Sequence, residues 1–208
     1  MQGFVRGLVW LAVICGALAV LAHLFVVEAW RVPQGDLQFP ASIAPTLAAE
    51  DLILVRRNGH PGFGELARCV SPRDGSFVIG RVFGEPGDHV DVTDDVITTN
   101  NKPLGSRHGC PAVTLPHPVS QSLVKLTCSV AETGAWSFQY LTSPDQAVSA
   151  HSEAAVEAGK LYLVSDNRLM HQDSRDFGLV DRETCQHVVY RLWGEKYAAD
   201  SRRFALLW

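Results

Sequence analysis

Residues Ser76 to Val92 read Ser-Phe-Val-Ile-Gly-Arg-Val-Phe-Gly-Glu-Pro-Gly-Asp-His-Val-Asp-Val. Ser76–Phe83 is a short apolar run of β-prone residues. Glu85-Pro86-Gly87-Asp88 is a turn: proline presets φ and Gly87 suits a positive φ. His89–Val92 then resumes a strand, and Val96–Thr99 follows after Asp94-Asp95. Working outward, Asp51–Arg57 and Leu66–Val70 read as strands, separated by the turn-rich Gly59–Gly64 and closed by Ser71–Gly75. Lys160–Val164 and Gln186–Trp193 are two more strands. Beyond the N-terminus no segment shows a sustained period of 3.6. Many short strands with Gly, Pro and Asp turns predict a mainly β fold, with a sheet closed into a barrel-like form.

The N-terminus is of another kind. Leu8–Val27 is almost uninterrupted apolar sequence, long enough at 1.5 Å per residue to span a bilayer core. Arg6 precedes it and Glu28 follows it, so the N-terminus is expected to stay inside while the remainder is exported. A retained anchor through residues 8–27 is the expectation; the alternative is a cleaved signal peptide, against which the length of the run speaks. The expected organisation is an N-terminal segment and anchor (1–28), a β domain in two parts (29–104 and 160–208), and an inserted β-rich excursion (105–159). Within the excursion Ser122–Cys128 and Trp136–Leu141 are the β-prone pieces. Ala29–Ala41, with Pro33, Gly35 and Pro40, reads as a linker, and Trp30 is placed near the headgroups. The apolar end Phe204–Trp208 is expected to dock, on its own domain or on a partner.

The chain has 208 residues and a formal charge of −4 with no basic block, which argues against a nucleic-acid partner. The histidines show no ligand spacing and the cysteines no CxxC pair, so neither metal nor cofactor is expected. Cys69, Cys110, Cys128 and Cys185 are either four buried thiols or include a Cys110–Cys128 bridge, if the domain faces an oxidising space.

Three motifs occur in order behind the apolar run. They are Ser42-Ile43-Ala44-Pro45-Thr46-Leu47, followed by Asp51–Val55; Gly80–Asp88; and Ser165–Gly178. Together they resemble the S-M-x-P-T-L, K-R-V-x-G-x-P-G-D and G-D-N-R-x-x-S-x-D-S-R-x-x-G blocks of the signal peptidase I family. Val70-Ser71-Pro72, the tail His187–Trp193 and the single anchor resemble its mitochondrial inner-membrane protease branch. The resemblance implies a serine peptidase in which Ser42 is the nucleophile, a neutral lysine the base, and an extended peptide on a sheet edge the substrate. It implies a salt bridge between Asp173 and Arg175, and a structural role near the site for Asp166, Asn167, Arg168, Ser174, Gly87 and Asp88.

The departures bear on function. Gly80 stands where the family has its lysine, and Arg81 cannot act as a base near neutral pH. Pro40 stands where a serine often assists the oxyanion, and it offers neither hydroxyl nor N–H. His171 replaces the serine that contacts the lysine. Two functions follow. One is a pseudo-protease serving as a binding or structural subunit of a mitochondrial inner-membrane assembly, its domain in the intermembrane space. The other is an active endopeptidase removing targeting peptides, with His171, oriented by Asp173, as substitute base. A bacterial inner-membrane protein with a periplasmic domain is the alternative location.

Overall fold

The computed structural model describes residues 2–93, 96–134, 136–143, 151–194 and 203–207. The Asp94-Asp95 turn and Trp208 lie outside the described residues. Helix α1 runs from Gln2 to Phe25 and precedes a mainly β protein. The helix thus starts before the expected Leu8 and ends before Val27, where strand β1 (Val27–Arg31) begins. Its most apolar window, Phe4–Leu21, has a mean hydropathy of 2.3 and none of it is buried by the rest of the chain.

The supposed linker is ordered. Trp30 in β1 packs edge-on against Phe39 and Phe77, with ring centroids 6.3 and 6.1 Å away. The Arg68 guanidinium lies 5.3 Å from its ring, so Trp30 is held by its own domain. A one-turn helix, α2 (Gln38–Ser42), follows.

The main sheet takes in β1, β2 (Leu52–Arg56), β3 (Leu66–Val70), β4 (Phe77–Gly84), β12 (Lys160–Val164), β13 (Val180–Asp181) and β14 (Gln186–Trp193). Its order is β1-β2-β14-β3-β4-β12-β13, with β15 (Ala205–Leu206) added to β14. Strand β4 is buried at every residue after Phe77, because both of its faces are covered. On one face Ile79 packs with Ile43, Ile53, Val55 and Val188. On the other, Val78 and Val82 pack with Cys69, Leu161, Leu163 and Val180. Each such side chain contributes about 1.5–3 kcal/mol when fully removed from water.

Next to it, β5 (His89–Thr93), β6 (Val96–Thr99), β7 (Lys102–Pro103) and β11 (Ser152–Ala155) form a four-stranded sheet in the order β11-β5-β6-β7. The turn leading into it needs glycine at position 87, where φ is +96°. Most of the excursion is a third sheet, β10-β9-β8, built from β8 (Ser106–Pro116), β9 (Leu123–Thr133) and β10 (Trp136–Thr142). It shares its core with the rest of the chain: Leu115, Leu126, Cys128 and Leu141 pack with Ala44 and Met170.

The four cysteines outside α1 are paired, so of the two alternatives the bridged one holds, with a second bridge that was not expected. Cys110 bonds Cys128 across β8–β9, and Cys69 bonds Cys185. The second pairing follows from the sheet: Arg68 lies opposite Gln186, which sets Cys69 beside Cys185. The apolar chain end docks on its own domain as β15, with Leu207 in the core.

Candidate functional site

The loop after β12 organises the site. Asn167 clamps the segment that carries Ser42: its N–H donates to Ser42 O (3.0 Å) and its side-chain amide to Ala41 O (2.9 Å). The Asn167 side-chain oxygen accepts the N–H groups of Leu169 and Met170, so the loop closes on itself. On the other flank Leu141 donates to Asp166 O and accepts from the Arg168 N–H, both at 2.8 Å. The β10 strand and the Ser42 segment are thereby tied to one loop.

Asp166 ties in β4. Its carboxylate takes two bonds from Arg81, from Nε at 2.8 Å and Nη2 at 3.1 Å, and one from the Thr46 hydroxyl at 2.5 Å. Arg81 is buried, its guanidinium 4.1 Å from the Phe138 ring centroid and donating to Gly64 O. A bidentate pair of this kind fixes geometry as well as charge.

A second buried pair lies beyond it. Arg175 donates from Nε (2.9 Å) and Nη2 (2.7 Å) to Asp173, which also accepts the Ser165 N–H (2.7 Å). Asp173 and Asp176 form a capping box on the short helix α3 (Ser174–Phe177). Burial pushes the Asp173 carboxyl up, but the hydrogen bonds and charge of Arg175 outweigh it and hold it below the ordinary carboxylate range. Ser174 Oγ accepts the Leu163 N–H, fastening α3 to β12.

Arg168 is fully buried, and burial lowers its pKa to about 10. Its guanidinium sits 5.5 Å from Phe83 and 5.3 Å from Tyr140, and Nη1 donates to Ser165 O. In the turn after β4, Asp88 accepts the Glu85 N–H and the Asn100 amide.

The positions assigned to chemistry look different. Ser42 is 0% exposed and its hydroxyl donates to Phe39 O at 2.7 Å. Gly80 is tightly packed: a Cβ there would meet Leu163 Cβ at 3.2 Å and Val164 O at 3.3 Å. His171 is half-buried, and its Nδ1 lies 2.8 Å from Asp176 rather than against Asp173. Ser42 bonds Phe39 and His171 bonds Asp176, so no hydrogen bond joins the serine to the histidine. The Gln38 amide does reach from α2 to His171 O (2.9 Å). Pro40 lines a small apolar cavity of ≈ 130 Å³ with Leu37, Ala41, Ala44 and Leu115. The donor atoms of His171, Asp173 and Asp176 lie within 4.8 Å of one another. Both Asp173 oxygens are taken by Arg175, however, so the trio is an ion-pair network.

Sequence reasoning left Thr46, Gln38 and Phe138 without roles. Thr46 sits inside the first motif, four residues after Ser42, and its hydroxyl meets Asp166. Phe138 had no such signal, since the β10–Arg81 contact depends on tertiary folding.

Fold and site together define a β protein with one apolar N-terminal helix, in which a serine-bearing segment and a paired arginine strand meet on one loop. The signal peptidase, peptidase S26 family model matches residues 5–193, and the chain belongs to that family. Among solved structures it is similar to a signal peptidase I from Enterococcus faecalis V583. The identity is 23%, with 63% of this chain and 97% of that chain covered and a TM-score of 0.38. No curated protein matches the chain.

Proposed function

We propose that this chain is a membrane-anchored pseudo-protease of the signal peptidase family, acting as a binding or structural subunit of a membrane assembly. The observation that carries this reading is Gly80. It stands where the family's lysine is expected, and a glycine supplies no base; Leu163 Cβ and the Val164 carbonyl also crowd the place of a first side-chain carbon, at 3.2 and 3.3 Å. A missing general base costs about 10²–10⁴-fold in rate. The burial of Ser42 and the direction of its hydrogen bond support the same reading. α1 serves as the anchor, with the domain on the exported side; the two disulfides support an oxidising compartment there. The location is the mitochondrial inner membrane facing the intermembrane space, or the bacterial inner membrane facing the periplasm.

One observation favours a second reading. His171 is oriented by a carboxylate, as a base for Ser42 would be, and Gln38 links it to the Ser42 helix. In that reading the chain cleaves extended targeting peptides after α2 shifts to release the serine.

The test uses the detergent-solubilised chain with signal-peptide substrates bearing Ala-x-Ala sites. No cleavage is expected from the natural protein. Cleavage that is abolished in both Ser42→Ala and His171→Ala establishes the second reading instead. A Gly80→Lys variant is expected to stay inactive unless the contact with Leu163 Cβ also gives way, so Gly80→Lys combined with Leu163→Gly, which removes that carbon, is the informative gain-of-function partner.

A further inference from the structure

The chain end is seated in a cleft that it fills poorly. Strand β15 pairs with β14 at Tyr190–Leu206 and Arg191–Ala205, on the edge left open beyond the first residue of β3, Leu66. Two flanking bonds add to it: Phe204 N–H to Leu192 O (3.2 Å) and Leu207 N–H to Val189 O (3.0 Å). Among the described residues of this end, one side chain is buried and Ala205 is half-buried. Leu207 is 7% exposed and joins Phe39, Ile43 and Leu47, whereas Phe204 and Leu206 are 64% and 54% exposed. Phe204 also adopts φ +56°, a conformation that bulky residues avoid. Beside the strand lies ≈ 450 Å³ of cleft, lined by Arg81, Val130, Phe138, Gln139, Arg191 and Leu207 among others. The two arginines are paired with Asp166 and Asp51, so the apolar preference of the seat comes from the buried position of Leu207 rather than from the mixed lining of the cleft.

We propose that this cleft is a strand-docking site for an extended apolar segment of a partner protein, and that Phe204–Leu207 is the occupant in cis. The inference rests on the binding-subunit reading and names its surface. Backbone bonds to β14 supply affinity, and the pocket of Leu207 selects a branched aliphatic side chain, as in other cases of strand addition. A strand held by one buried side chain and a strained residue gives way to a segment that makes the same bonds without the strain. Because Leu207 belongs to the same core cluster as Phe39 and Ile43, which bracket Ser42, the exchange is felt at the α2 segment.

The probe is a fluorescein-labelled peptide, Arg-Phe-Ala-Leu-Leu, with the sequence of residues 203–207, measured by anisotropy on the full chain in micelles. Phe204→Pro removes the N–H to Leu192 and cannot adopt the observed φ. It leaves the core untouched and is expected to bind the probe about tenfold tighter than the natural protein, because the competent fraction rises. Phe204→Gly relieves the strain, holds the tail and is expected to bind more weakly. A probe with aspartate in place of its second leucine is expected to bind none of the three. Equal affinity across the three proteins, or equal binding of the two probes, overturns the proposal. So does a strand-exchanged dimer of the natural protein by light scattering, which assigns the cleft to a second copy. Cleavage assays report on the pseudo-protease reading separately, so either idea can fail alone.

Discussion

Two parts of the site sit side by side and differ in kind. The loop from Ser165 to Phe177 is saturated with partners: Asp166 holds Arg81 and Thr46, and Asp173 holds Arg175 and Ser165. The positions where chemistry would occur are closed instead, with Ser42 bonded inward and Gly80 packed over. The difference teaches that the paired carboxylates belong to the fold. They fasten β4, β10, β12 and the Ser42 segment to one another, a task that remains whether or not a peptide bond is cut.

The comparison breaks if the framework proves dispensable. Asp173→Ala leaves the buried Arg175 without its carboxylate and is expected to lower stability by about 3–5 kcal/mol. Denaturant unfolding followed by tryptophan fluorescence measures it, and a loss comparable to that of Ser42→Ala would erase the distinction.

Acid sharpens the same contrast. The folded Asp173 carboxyl titrates below its ordinary value of 3.8, so its contribution is present above the unfolded pKa. It is lost as pH falls through the folded pKa. Stability is therefore expected to drop below about pH 4 more steeply in the natural protein than in Asp173→Asn, read from unfolding midpoints against pH.

Two glycines of one strand separate architecture from lost chemistry. At Gly84 a Cβ would meet Val90 at 2.6 Å and Val156 at 2.7 Å. Gly84→Ala is expected to cost about 3 kcal/mol by overpacking. At Gly80 the contacts are milder, and Gly80→Ala is expected to cost about 1 kcal/mol. Thermal unfolding of the two variants ranks them, and the reverse order would mean that the space at Gly80 is the more tightly held. Ser42→Ala is the smallest change. It removes a buried hydroxyl and its bond to Phe39, and a loss near 1 kcal/mol or less is expected.

The inner strands β2, β3, β4, β12 and β14 were legible in the sequence because they are apolar runs bounded by Gly, Pro and Asp turns, whereas β1 was hidden in a stretch that reads as a linker. Strand β8 was not legible: Gly109, Pro111 and Pro116 interrupt it. It is tolerated because it lies on the edge of its sheet, where a missing N–H leaves no ladder partner wanting. Helix α2 was hidden by its length of five residues and by Pro40. The Cys69–Cys185 bridge joins residues 116 positions apart, and only the β3–β14 register brings them together. At the site, it was the resemblance of the three motifs that singled out Ser42, Gly80 and His171. Which carboxylate meets His171, and which way the Ser42 hydroxyl turns, are set by tertiary packing that no spacing encodes.

The junction of α1 and β1 carries a mechanical consequence. A single residue, Val26, separates the end of the helix from the first strand of the main sheet. At most about 3.6 Å of chain per residue is available there, so nothing of a leash exists. With α1 in a bilayer, this short link keeps the sheet close to the membrane surface, and it meets other molecules while moving within the plane of the membrane. A partner that shares that plane finds it in two dimensions, and a modest contact is then enough to keep the pair together.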